Sequence, residues 1–219
     1  MLKSEIDYDT KCWAEKITFK DFLGYDPGTP SPQYNGDDFP EFCLRPSPNN
    51  IISCFKDDDC FLQGFILAIF WGSMWQKNSL KRIFCPRLTN VESTLKEAKE
   101  KIVEEESIKN AWKLLAEQLY WSPVFISKVL HFLSRSAGFE QNPPVPMDNK
   151  VTLKQIWPKF LTMVRQKREN GNNNQEPAPW EGKFEGYSRY MTLINVWAKE
   201  KNWSTTNIET TLFKKYNVN

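Results

Sequence analysis

The chain has 219 residues, enough for one domain with a substantial core, or one domain with a small appendage. Hydrophobic residues make up 40% and charged residues 26%, the balance of an ordinary globular protein. A net charge of +2 and a pI near 8.2 exclude the strongly basic character of a nonspecific DNA-coating protein, so any contact with a polyanion requires a local basic face.

The aromatic share of 14%, with nine Trp, is high. Large rings fill cores, and exposed ones stack on nucleobases. Cys12, Cys43, Cys54, Cys60 and Cys85 are odd in number and lack CxxC spacing, which argues for reduced structural thiols rather than a disulfide framework or zinc site. His131 is the single histidine, which argues against a His-based metal site and a Ser-His-Asp triad. No metal or organic cofactor is expected. No charged-then-apolar segment opens the chain, so the expectation is a cytoplasmic monomer without membrane contact.

Residues 1–55 read as an irregular N-terminal segment packed on the core, and 56–219 as a helical domain. Asp26-Pro-Gly-Thr-Pro-Ser-Pro-Gln and Arg45-Pro-Ser-Pro-Asn-Asn are turn-rich, and short helical pieces fit Tyr8–Lys16 and Thr18–Leu23. Phe61–Trp75 is the most apolar run, too short for a membrane span and expected to be a central helix covered on every side. A helix through Lys96–Glu106 carries i,i+4 Glu/Lys pairs and reads as exposed. Ile108–Trp121 follows at helical spacing.

Ser122-Pro123 marks a helix start, with Ser at the N-cap and Pro at the first helical position. That helix ends near Gly138, and Pro143–Pro146 then crosses in extended form. Asp148 or Thr152 caps the next helix, running through Trp157 to about Arg168. Residues 169–180 are polar, low in complexity and expected to be mobile. Helices over Tyr187–Lys201 and Thr205–Tyr216 close an all-α bundle with a loop-rich N-terminal segment.

Within this frame, Lys128 lies near the start of the Ser122 helix, and Asp148 follows it by twenty residues at the end of the proline-rich loop. A lysine is a nucleophile only as the free amine, which burial or nearby positive charge favours. Such an amine can displace the base from a nucleotide's anomeric carbon and leave a Schiff base. Asp148, at a helix start, stays ionised and stabilises an oxocarbenium-like sugar.

This segment resembles the active site of the helix-hairpin-helix DNA glycosylase superfamily, in its 8-oxoguanine glycosylase/lyase branch. That family places a catalytic lysine at a helix start and, about twenty residues later, an aspartate in a Pro-Val-Asp-like turn followed by a basic residue or histidine. Here the turn reads Pro144-Val-Pro-Met-Asp-Asn-Lys150. The resemblance implies a helix-hairpin-helix glycosylase-like bundle with Lys128 as nucleophile, Asp148 as catalytic carboxylate and Lys150 as a phosphate contact. It implies excision of a damaged or modified base, foremost 8-oxoguanine, from double-stranded DNA, with strand scission by elimination. The family's glycine-rich hairpin is replaced by Tyr120-Trp-Ser-Pro-Val-Phe-Ile-Ser127, leaving Ser127 or the amides after Ser122 to contact phosphate.

A flipped base must be held between rings and read by a few polar groups. Gln63, Trp71 and Trp75 are pocket candidates on the apolar run, with core packing the competing role of the tryptophans. The Gln63 amide is singled out because a polar group inside an apolar run needs a partner. Tyr187, Tyr190 and Met191 are candidates on the penultimate helix. The basic groups Lys77, Lys81, Arg82, Arg87 and Lys159, Arg165, Lys167, Arg168 are either phosphate tracks or solvated surface. His131 reads as a core or rim histidine. The competing functions are a non-catalytic helical DNA-binding protein of the same fold and a bacterial phage-defence or regulatory interaction protein.

Overall fold

A computed structural model describes residues 6–30, 46–72, 90–104, 107–119, 122–139, 142–171, 174–180 and 183–217. The described elements are helical throughout, which makes the fold all-α. The chain forms two compact units, one built from Tyr34–Pro146 with the first three residues, the other from Ser4–Gln33 and Met147–Asn219. Trp75 and the basic residues Lys77, Lys81, Arg82 and Arg87 lie outside the described residues, as do Cys43 and Cys85.

The first unit contains α3 (Pro48–Lys56), α4 (Phe61–Gly72), α5 (Val91–Glu104), α6 (Ile108–Leu119) and α7 (Pro123–Ser136). The prolines around residue 46 suggest a turn, yet α3 forms there, from a start signal carried by the sequence itself. Ser47 caps it by accepting from the Asn50 amide, and Pro48 takes the first turn, where a missing N–H costs nothing. Gly64 lets α4 approach α3 closely, since a Cβ there would meet the Cys54 Cβ at 3.0 Å.

The apolar run is not the helix covered on every side. Phe61, Phe65, Ala68 and Ile69 of α4 are buried, whereas Leu62 is 41% exposed and Gln63 is exposed beside it. The most enclosed helix of this unit is α7, buried continuously from Ile126 to Ser134 and packed on α3, α4, α5 and α6. It is flanked by α5, whose outer face carries the expected Glu92–Lys96 and Glu97–Lys101 pairs. The other face of α5 buries Val91, Leu95, Ala98 and Ile102. Mean apolarity misleads here because α7 carries polar groups inward.

The second unit contains α1 (Tyr8–Lys16), α2 (Phe19–Leu23), a π-helical segment (Asn149–Ile156), α8 (Trp157–Glu169), α9 (Phe184–Lys201) and α10 (Thr205–Tyr216). The short α1 and α2 contribute Trp13, Phe19 and Phe22 to an aromatic core around Trp197, whose ring lies 5.4 Å from Phe19 and 4.8 Å from Phe22. The Trp197 indole donates to the Ile17 carbonyl at 2.8 Å. Helices this short are marginal alone, so tertiary anchors hold them.

Lysines supply many of those anchors. The Lys159 ammonium donates to the Phe22 carbonyl at 2.6 Å and the Tyr216 hydroxyl at 2.9 Å. Lys167 donates to the Lys16 carbonyl at 2.6 Å, and Lys215 to the Leu23 carbonyl. Each meets the C-terminal end of α1 or α2, where orphan carbonyls and the helix dipole favour a cation.

Arg165 and Arg168 pair with Glu176 at 2.8 and 3.9 Å. The group at 159–168, a candidate phosphate track by sequence, is therefore engaged within its own unit. The described residues 174–180 of the polar stretch make contacts of their own. Gln175 accepts from the Trp13 indole, Pro179 accepts from Arg189, and Trp180 lies against Gly186.

Candidate catalytic residues

Lys128 sits in the second turn of α7, which starts as expected at Ser122 with Pro123 at the first position. Its side chain is 6% exposed, in a helix where Val129, Leu130, Phe132 and Leu133 are fully buried. An ammonium is expensive to enclose, so a buried lysine on a core helix is placed against the ordinary preference of its type. Ser127, the neighbouring candidate, is also buried, and its hydroxyl donates to the Val124 carbonyl at 2.9 Å.

One turn beyond Lys128, the His131 Nδ1 lies 2.8 Å from the Pro144 carbonyl. A carbonyl oxygen can only accept, so Nδ1 carries the proton and the ring is the Nδ1–H tautomer. Burial, then the Arg135 guanidinium, hold the imidazolium form down to about 3, so the ring is neutral at physiological pH. Trp71 lies nearly parallel to this ring, with centroids 6.3 Å apart, and meets Phe132 edge-on at 5.1 Å. Trp71 thus packs on the helix of Lys128. Gln63, on the same helix α4, points to solvent, so its amide lacks the burial that singled it out.

In the second unit, Asp148 caps the π-helical segment. Its Oδ1 accepts from both the Lys150 and Val151 amides, at 2.7 and 3.0 Å, and its own amide donates to the Thr152 hydroxyl at 3.1 Å. Both predicted caps are used, Asp148 through its carboxylate and Thr152 in return. Among the described residues none donates to Oδ2, which leaves one carboxylate oxygen for another partner. Asp148 is half-buried and Lys150 exposed. The cap fixes the carboxylate while the lysine stays at the surface.

Tyr187, Tyr190 and Met191 are all buried on α9, as core residues are. Tyr190 differs from a plain core ring because its buried hydroxyl lies beside Thr152, short of a hydrogen bond of good geometry. Burial first, then the Glu209 carboxylate, push its phenol upward, so it stays protonated. It therefore backs the residue that holds the Asp148 amide.

Sequence reasoning missed His131 as a fastening. The signal for His131 was available: a lone imidazole on an otherwise apolar helix face needs a partner, and Pro144 belongs to a stretch poor in amides but not in carbonyls. Among the described residues no cluster of His, Cys, Asp or Glu is arranged to hold a metal ion, and no helix is long and apolar enough to cross a membrane.

The described elements are helical, with a buried lysine on α7 and a cap aspartate twenty residues on. The model of the family described as "Putative 8-oxoguanine DNA glycosylase OGG-like protein" matches residues 51–213, from α3 into α10, and the chain belongs to that family. No curated protein and no solved structure matches the chain.

Proposed function

We propose that this protein is a DNA glycosylase with associated strand-scission activity, in which Lys128 is the nucleophile. The observation that carries this reading is the burial of Lys128, 6% exposed in the core helix α7. A lysine nucleophile acts as the neutral amine, and the core helix removes this one from bulk water. The free amine attacks C1′ of the flipped nucleotide, the C1′–N bond breaks, and its electron pair leaves with the base, which takes a proton. The nitrogen loses its protons as the sugar ring opens, giving a Schiff base. Abstraction of a C2′ proton then expels the 3′ phosphate and breaks the strand.

In this reading Asp148 Oδ2 faces the positive charge that develops on the sugar, and Lys150 contacts a phosphate. The substrate is double-stranded DNA bearing an oxidised purine, 8-oxoguanine first among them, which rests on the family description.

Borohydride reduction of a reaction with an 8-oxoguanine duplex tests the nucleophile. Wild type should form a covalent adduct that Lys128→Ala lacks, and equal trapping by both would remove Lys128 from the mechanism. Lys150→Ala should bind duplex more weakly and reduce the salt-dependence slope by about one. Unchanged binding would remove that contact.

A further inference from the structure

We infer that His131 is a positioning residue, fastening the proline strap Pro143–Pro146 to the helix of Lys128 through its hydrogen bond to the Pro144 carbonyl. The inference rests on the proposed glycosylase reading for its kinetic consequence, and on geometry for the fastening itself. Pro143, Pro144 and Pro146 have no amide hydrogen, so the strap cannot pair as helix or strand from those positions. Its four residues are nonetheless buried, and a buried carbonyl needs a donor.

His131 supplies that donor at 2.8 Å, from a ring that is 3% exposed and stacked beside Trp71. The donor stands three residues after Lys128 on α7, and the acceptor four residues before Asp148 on the chain. Met147 is buried as well, so few torsions intervene between the fastened carbonyl and the aspartate cap. The fastening sets where the chain leaves the strap four residues before the aspartate, and in the proposed reaction misplacement by about 1 Å can cost on the order of a hundredfold in rate. The neutral ring also keeps its Nδ1–H at physiological pH, so the fastening does not loosen with ordinary changes in acidity.

Two substitutions separate this role from simple core filling. Asparagine places its side-chain nitrogen where Nδ1 stands, whereas glutamine places its nitrogen near the Nε2 position. His131→Asn should therefore restore most of the single-turnover rate of base release, and His131→Gln and His131→Phe should lose about tenfold or more. Duplex affinity should hardly change in any of them.

Hydrogen exchange of the amides from Val145 to Val151 gives a readout independent of activity. It should quicken in His131→Gln and His131→Phe, and not in His131→Asn, with helicity retained by circular dichroism. Equal exchange in all three variants would overturn the fastening. If Lys128→Ala traps as well as wild type, the glycosylase reading falls and the exchange result still decides the strap. If exchange shifts as expected but base release does not, the strap is held by His131 without a positioning role, and the inference fails.

Discussion

The two units place their polar and charged groups in opposite ways. In the second unit, cations end on main-chain carbonyls: Lys159, Lys167 and Lys215 close the ends of α1 and α2, and Arg165 and Arg168 meet Glu176. Those charges are structural, and the unit holds itself together with them. In the first unit, the most enclosed helix carries Ser127, Lys128, His131 and Ser134 inward among leucines and phenylalanines. Packing alone would favour apolar residues at those positions. Polar groups close helix ends in the one place and interrupt a core in the other, and the proposed chemistry falls to Lys128 among the latter.

The sharpest way to break that comparison is to remove the polar groups from each side. Lys128→Met keeps the length and volume of the side chain. It should abolish covalent capture, a loss on the order of a thousandfold or more, while changing unfolding free energy by less than about 1.5 kcal/mol. A large loss of stability would mean that Lys128 is scaffolding after all. Trp197→Ala should do the reverse, costing about 3–5 kcal/mol in urea unfolding because the ring fills the core between α2 and α9. A cost under 1 kcal/mol would show that α1 and α2 are not held by that core.

Acid titration sharpens the contrast within α7. The His131 pKa is lowered by folding, from 6.5 to about 3, so the folded state favours the neutral ring. Its contribution to stability is complete above pH 6.5 and is lost as pH falls toward 3, with a slope of up to about 1.4 kcal/mol per pH unit. Urea unfolding of wild type against His131→Asn over this range isolates that slope, and identical slopes would place the ring in solvent. Arg165→Ala is the smallest effect, within about 1 kcal/mol, because the pair with Glu176 is largely exposed. Its duplex affinity and salt slope should match wild type, and a weaker complex would return the 159–168 group to a role in DNA contact.

Much of the helical frame was legible in the sequence because local chemistry sets it. Ser122-Pro123, Ser204 and the glycine at 138 mark their helix ends by signals that act within a few residues. Thr205–Tyr216 falls where periodicity puts it. The π-helical form of Asn149–Ile156 was not legible, because eight residues are too few for the pattern to separate its period from that of an α-helix. Burial was the harder quantity. The apolar α4 and the mixed α7 exchanged the places that hydropathy assigns, since enclosure depends on which helices pack around an element. The nucleophile candidate stands out by its order and spacing with Asp148, whereas the lone imidazole of His131 signals only that it needs a partner, and its pairing with Pro144 depends on tertiary proximity.

The division of labour within the Asp148 carboxylate has a consequence for how such a protein can change over time. Oδ1 accepts from two amides and carries the helix cap, while Oδ2 is the oxygen that the proposed reading gives to the charge on the sugar. Asparagine at this position would keep a cap acceptor and replace the second oxygen by an amide. A lineage could therefore abandon the chemistry by one substitution without unravelling the turn. A relative of this chain carrying that change would keep the shape of an enzyme and serve only to bind.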